Sequence, residues 1–87
     1  MTDESRSTRL KRMTMRSWRR GTKEADMILG PFADQMLAQL SAPDLDLYDA
    51  LLDENDHDLF QWLSGQRVGP PALRPLLGRI SDFANTG

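Results

Sequence analysis

The chain has 87 residues, no cysteine and a formal net charge of −2, with 39% apolar and 28% charged residues. That size fits one small domain with a limited core, and the missing cysteine excludes disulfide staples and thiolate chemistry. No apolar run approaches the roughly 20 residues of a membrane span, and Arg19-Arg20 is not followed by the apolar stretch or cleavage site of an export signal, so a cytoplasmic protein with its natural N-terminus is expected.

Residues 1–8 are polar and aperiodic and are expected to form a disordered tail, leaving a helical domain over 9–85. Leu10, Met13 and Trp18 define the stripe of a first helix that Gly21 should end. From Ala25 the apolar positions Ile28, Leu29, Phe32, Ala33, Met36, Leu37 and Leu40 keep helical spacing. Pro31 interrupts this pattern, because it lacks a backbone donor and clashes with the carbonyl of Met27. A kink at Gly30-Pro31, or two short helices, is expected there. Ser41, with Asp44 three residues on, marks the N-cap of a third helix that turns Tyr48, Leu51 and Leu52 inward. Asn55 or Asp56 caps a short fourth helix bearing Leu59, Phe60, Trp62 and Leu63, with Gly65 as its stop. Phe60 and Trp62 point in different directions, one inward and one over a rim. A loop over Gln66–Pro71 precedes a last helix from near Ala72 that uses Leu73, Leu76, Leu77, Ile80 and Phe83, with Pro75 in its first turn. No segment shows strand-like alternation, so the fold class is all-α, a single-domain bundle of about five helices.

The charge is unevenly spread. Arg6, Arg9, Lys11, Arg12, Arg16, Arg19, Arg20 and Lys23 hold most of the positive charge, and no lysine or arginine occurs between Glu24 and Gln66. That stretch carries ten acidic residues, including Asp46, Asp49, Asp53 and Asp56. Solvated helix faces account for most of these positions. A basic end that meets an acidic or phosphate-bearing partner is the functional alternative.

A self-contained active site does not emerge. His57 is the single histidine and lies at a polar helix junction with no further zinc ligands around it. The acidic stretch from Asp53 has Asp58 where a calcium loop needs glycine and Ser64 where it needs glutamate. There is no nucleophile elbow and no phosphate-cradling glycine loop, and no carboxylate pair stands out as shielded from water. Arg12, Arg16, Arg19 and Arg20 suit phosphate contacts, but the acidic remainder of the chain would repel a long polyanion.

Arg20-Gly21-Thr22-Lys23-Glu24 fits an Arg-Gly-x-x-Glu signature, followed by Ala-Asp-Met-Ile-Leu-Gly-Pro-Phe. Leu47-Tyr48-Asp49-Ala50-Leu51-Leu52 and Asp58-Leu59-Phe60-Gln61-Trp62 come later. With these blocks, the chain resembles the succinate dehydrogenase assembly factor 2 family, also called the Sdh5/SdhE flavinylation factors, from about Arg9 to Ala84. The resemblance implies a small five-helix domain that is not an enzyme. It implies an assembly chaperone that binds the flavoprotein subunit of succinate dehydrogenase, and in some bacteria fumarate reductase, and promotes covalent attachment of FAD to a histidine of that client. FAD is then the client's cofactor, and none is held stably by this chain. The short N-terminal segment favours the bacterial branch, and a monomer is expected when the chain is free.

On this reading the partner-binding residues are Arg19, Arg20, Gly21 and Glu24. Gly21 lets a partner backbone approach and permits a left-handed turn. Arg20 offers a planar fork for a carboxylate or carbonyl. Glu24 either favours the dipole of the second helix or pairs with Arg20 and holds it ready. An antitoxin or regulatory protein-binding module is the alternative function, and a small nucleic-acid-binding domain a more distant one.

Overall fold

Four helices of this chain begin on side-chain caps that the sequence supplies. In the computed structural model, which describes residues 5–86, Ser5 opens α1 (Arg6–Trp18) by accepting from the Thr8 N–H at 3.1 Å. Thr22 opens α2 (Lys23–Met36), accepting from Ala25 at 3.4 Å. Ser41 opens α3 (Ala42–Leu52), accepting from Asp44 at 3.3 Å, and Asn55 opens α4 (Asp56–Leu63), accepting from Asp58 at 2.8 Å. Each cap satisfies a helix N–H that has no partner inside its own helix. The last helix, α5 (Arg74–Thr86), follows a tight turn in which Leu73 N–H donates to the Pro70 carbonyl at 3.0 Å. Among the described residues there is no strand, in keeping with the all-α expectation.

Three boundaries differ from the sequence expectation. Residues 1–4 of the anticipated tail lie outside the described residues, but Arg6, Ser7 and Thr8 form the first turn of α1 because Ser5 caps it. Arg6 is also anchored, donating to the carbonyls of Ala38 at 3.2 Å and Leu40 at 2.9 Å. α2 passes through Pro31 as a single helix and tightens only at its end, into a 3₁₀ turn over Leu37–Gln39. The donor that proline lacks would have served the carbonyl of Met27, a residue 63% exposed. α5 begins two residues later than Ala72, since the Pro70–Leu73 turn must close first, yet Leu73 is buried as anticipated.

The core gathers one face of every helix. Met13, Leu29, Phe32, Leu37, Leu45, Tyr48, Leu51, Leu52, Leu59, Leu76 and Ile80 are almost wholly removed from water. Each aliphatic side chain buried in this way contributes about 1.5–3 kcal/mol of transfer free energy. Phe32 lies at the centre, stacked on Tyr48 with centroids 5.9 Å apart and edge-on to Phe83 at 5.6 Å. The most extensive helix pairing is α1 with α2. It is closed by Trp18, whose ring covers Gly30 so closely that a Cβ there would stand 2.4 Å from it. Trp18 also donates to Asp34 at 3.2 Å. On α4, Trp62 packs against the core while Phe60 stays at the surface, 41% exposed.

Candidate functional site

The α1–α2 corner is built by four consecutive devices. Arg19 ends α1, its N–H donating to the Arg16 carbonyl at 3.3 Å. The Arg20 N–H donates to Asp26 Oδ1 at 2.8 Å, which ties the corner to the first turn of α2. Gly21 has φ +100°, a left-handed conformation that L residues rarely adopt. Thr22 then caps α2, with Glu24 and Asp26 in the first turn, where negative charge suits the helix dipole.

The Arg20 side chain turns inward. Nε donates to Asp56 Oδ1 at 2.8 Å, Nη1 to the carbonyl of Leu52 and Nη2 to the carbonyl of Glu54. Those two carbonyls lie at the end of α3 and in the α3–α4 junction, whose orphan acceptors need donors. Only 8% of the Arg20 side chain is exposed. The planar fork anticipated for a partner is therefore occupied within the chain, and Arg20 ties the α1–α2 corner to the α3–α4 junction. Its ionic partner is Asp56 and not Glu24, which settles the alternative left open by the sequence.

The other three residues face outward. Gly21 is exposed, and a Cβ built on it meets nothing within 4 Å. Arg19 and Glu24 are exposed and have no side-chain partner among the described residues. A hollow of about 360 Å³ adjoins them, lined by Thr22, Glu24, Asp56, His57 and Phe60. A second, of about 440 Å³, lies between Arg16, Arg19, Arg20, Asn55 and Asp56. Among the described residues no group of acidic or histidine side chains could hold a metal ion.

The basic face of α1 is neutralised inside the molecule. Arg9 pairs with Asp46 at 2.7 Å and with Asp49 at 3.5 Å, Arg12 with Asp49 at 3.2 Å, and Arg16 with Asp49 at 3.4 Å and Asp53 at 2.8 Å. The hydrogen bond from Arg12, reinforced by the charges of all three arginines, holds the Asp49 carboxyl below its ordinary value. The charge asymmetry of the sequence is thus largely an α1–α3 ladder. Arginines at 9, 12 and 16 match aspartates at 46, 49 and 53, both sets at helical spacing. That pairing of periods was the signal available in the sequence. The carbonyl acceptors of Arg20 left no such signal.

The family model described as Sdh5, flavinator of succinate dehydrogenase, matches residues 11–84. A Meyerozyma guilliermondii protein named succinate dehydrogenase assembly factor 2, mitochondrial, is 44% identical over 61 residues, covering 70% of this chain and 45% of its own. Proteins of the same name from Mycosarcoma maydis and from Cryptococcus neoformans var. neoformans serotype D are 39% and 36% identical, covering 77% and 95% of this chain and 28% and 49% of their own. The chain spans less than half the length of these relatives.

Proposed function

The chain belongs to the Sdh5 family, flavinator of succinate dehydrogenase, and from that premise we propose that it is an assembly chaperone that docks on the succinate dehydrogenase flavoprotein subunit and promotes its covalent flavinylation. The observation that carries the reading at this chain's own residues is Gly21, left-handed and open on its outer side between exposed Arg19 and Glu24. A partner backbone can approach there without displacing any side chain. Arg19 and Glu24 supply one charge of each sign for orientation, and Arg20 shapes the corner from inside.

The bond-making groups then belong to the client, as does FAD. The helper's contribution is to favour a client conformation in which histidine and flavin are aligned, and alignment of reactants alone can supply up to about 7–11 kcal/mol of a barrier. No stable FAD binding by the chain itself is part of this reading. A monomeric free state, a cytoplasmic location in the bacterial branch and fumarate reductase as an additional client belong to the same proposal. The internal ion pairs support a protein client over nucleic acid, because three of the four arginines suited to phosphates, Arg12, Arg16 and Arg20, already meet aspartates.

The test mixes purified flavoprotein subunit, FAD and this protein and measures flavin fluorescence that survives denaturation. A gain over the subunit alone is expected. No gain rejects the function.

A further inference from the structure

A groove larger than either hollow at the corner runs between α4, the connection after Gly65 and α5, with a volume of about 570 Å³. Phe60, Trp62, Val68 and Leu77 form its apolar walls. Phe60 also borders the hollow beside Glu24 and His57, so groove and corner share one wall. Val68, 75% exposed, has no apolar cover of its own.

The charge of the groove is one-sided. None of its lining residues is acidic, and its two charged residues are Arg67 and Arg74. Arg74 donates through Nε to the Gly69 carbonyl at 2.9 Å. Arg67 is exposed and its side chain has no hydrogen bond or ion pair among the described residues. This contrasts with α1, where Arg9, Arg12 and Arg16 each reach a carboxylate. An unmatched guanidinium beside bare apolar surface is complementary to a carboxylate flanked by apolar side chains, since that pairing is planar, bidentate and charge-assisted.

Gly78 supplies room on the same wall. It lies within α5, and a Cβ placed there meets nothing within 4 Å. Glycine inside a helix costs about 1 kcal/mol relative to alanine, and no packing within the chain requires it here.

We propose that this groove seats a segment of the client flavoprotein in which a carboxylate lies among apolar side chains. The carboxylate pairs with Arg67, an apolar side chain rests between Phe60 and Val68, and the segment passes close over Gly78. The identity of the client rests on the docking reading above, whereas the chemistry of the occupant rests on the groove alone.

The test titrates purified succinate dehydrogenase flavoprotein subunit with the wild-type chain and with Arg67→Glu, Arg67→Lys, Gly78→Leu and Gly21→Arg, each checked by thermal melting. Arg67→Glu and Gly78→Leu are each expected to weaken association at least tenfold while melting no lower than wild type, and Arg67→Lys to recover part of the loss. Arg67 is exposed, so its variants stay informative even if Gly78→Leu folds poorly. Groove variants that bind like wild type, while Gly21→Arg fails, overturn the groove proposal and leave the docking reading standing. The reverse pattern overturns the corner as the docking site and upholds the groove. Tighter binding by Arg67→Glu would mean a basic occupant, and a dimer of the free chain lost in Gly78→Leu would mean a second copy; either overturns the proposal. A wild-type chain that does not bind the subunit overturns both readings.

Discussion

Arg20 Nε meets Asp56 Oδ1 at 2.8 Å, which joins two helix junctions that lie 36 positions apart in the chain. The same guanidinium serves the carbonyls of Leu52 and Glu54. Breaking a buried pair by removing one partner costs about 3–5 kcal/mol. Arg20→Ala is therefore expected to lower stability in urea denaturation by about 3 kcal/mol, a large share of the roughly 5–15 kcal/mol of an ordinary domain. Arg20→Lys should recover little, because a single ammonium cannot span three acceptors in one plane. A stable Arg20→Ala protein that has lost only client binding would show that the side chain acts outward after all.

Gly21→Arg should separate shape from binding. The built Cβ is free of contacts, so the cost is the left-handed backbone alone, about 1–2 kcal/mol. Circular dichroism should show nearly unchanged helix content while flavinylation of the client falls at least tenfold. Equal loss of folding and activity would reduce Gly21 to a simple turn residue.

Tyr48 makes stability sensitive to alkali. The buried Tyr48 hydroxyl shares a 2.6 Å hydrogen bond with Ser17 Oγ, which also lies 2.8 Å from the Met13 carbonyl. Burial pushes the phenol up to about 12, against the opposing pull of the Ser17 hydrogen bond and the Arg20 charge. The unfolded chain ionises first, near the ordinary value of about 10. The contribution is thus complete below pH about 10 and is lost as pH rises to about 12, a loss on the order of 2–3 kcal/mol. Tyr48→Phe should be less stable at neutral pH by about 1 kcal/mol and lack this alkaline step in pH-dependent melting.

Asp49 has the opposite sign. Its carboxyl is held low by Arg12 first, with Arg9 and Arg16 adding charge. Its contribution is present above the ordinary carboxylate value of about 4 and disappears as pH falls through the lowered folded value. Asp49→Asn should melt below wild type at pH 7, by the equivalent of about 1 kcal/mol. The gap should narrow in acid and in high salt.

Helix content, caps and core were largely legible in the sequence, because period and cap chemistry are local. Ser41 with Asp44, Asn55 with Asp58, and the inward trio Tyr48, Leu51 and Leu52 all follow from such signals. Whether Pro31 would split the second helix could not be read from the sequence, because that depends on packing, which no local pattern reports; α2 runs through it unbroken. At the corner, the left-handed turn at Gly21 was legible, since glycine between two helical patterns marks such a turn. The inward turn of Arg20 was hidden, since two of its three acceptors are main-chain carbonyls, which every residue type carries.

Because one guanidinium ties residue 20 to residues 52, 54 and 56, a growing polypeptide that has emerged only through Glu24 possesses the whole signature and none of its shape. The bonds that fix Arg20 can form only late, once the residues that begin the fourth helix have followed it. A fragment cut before that point should be inert however faithfully it preserves the motif, and only a finished molecule can begin to attend to another.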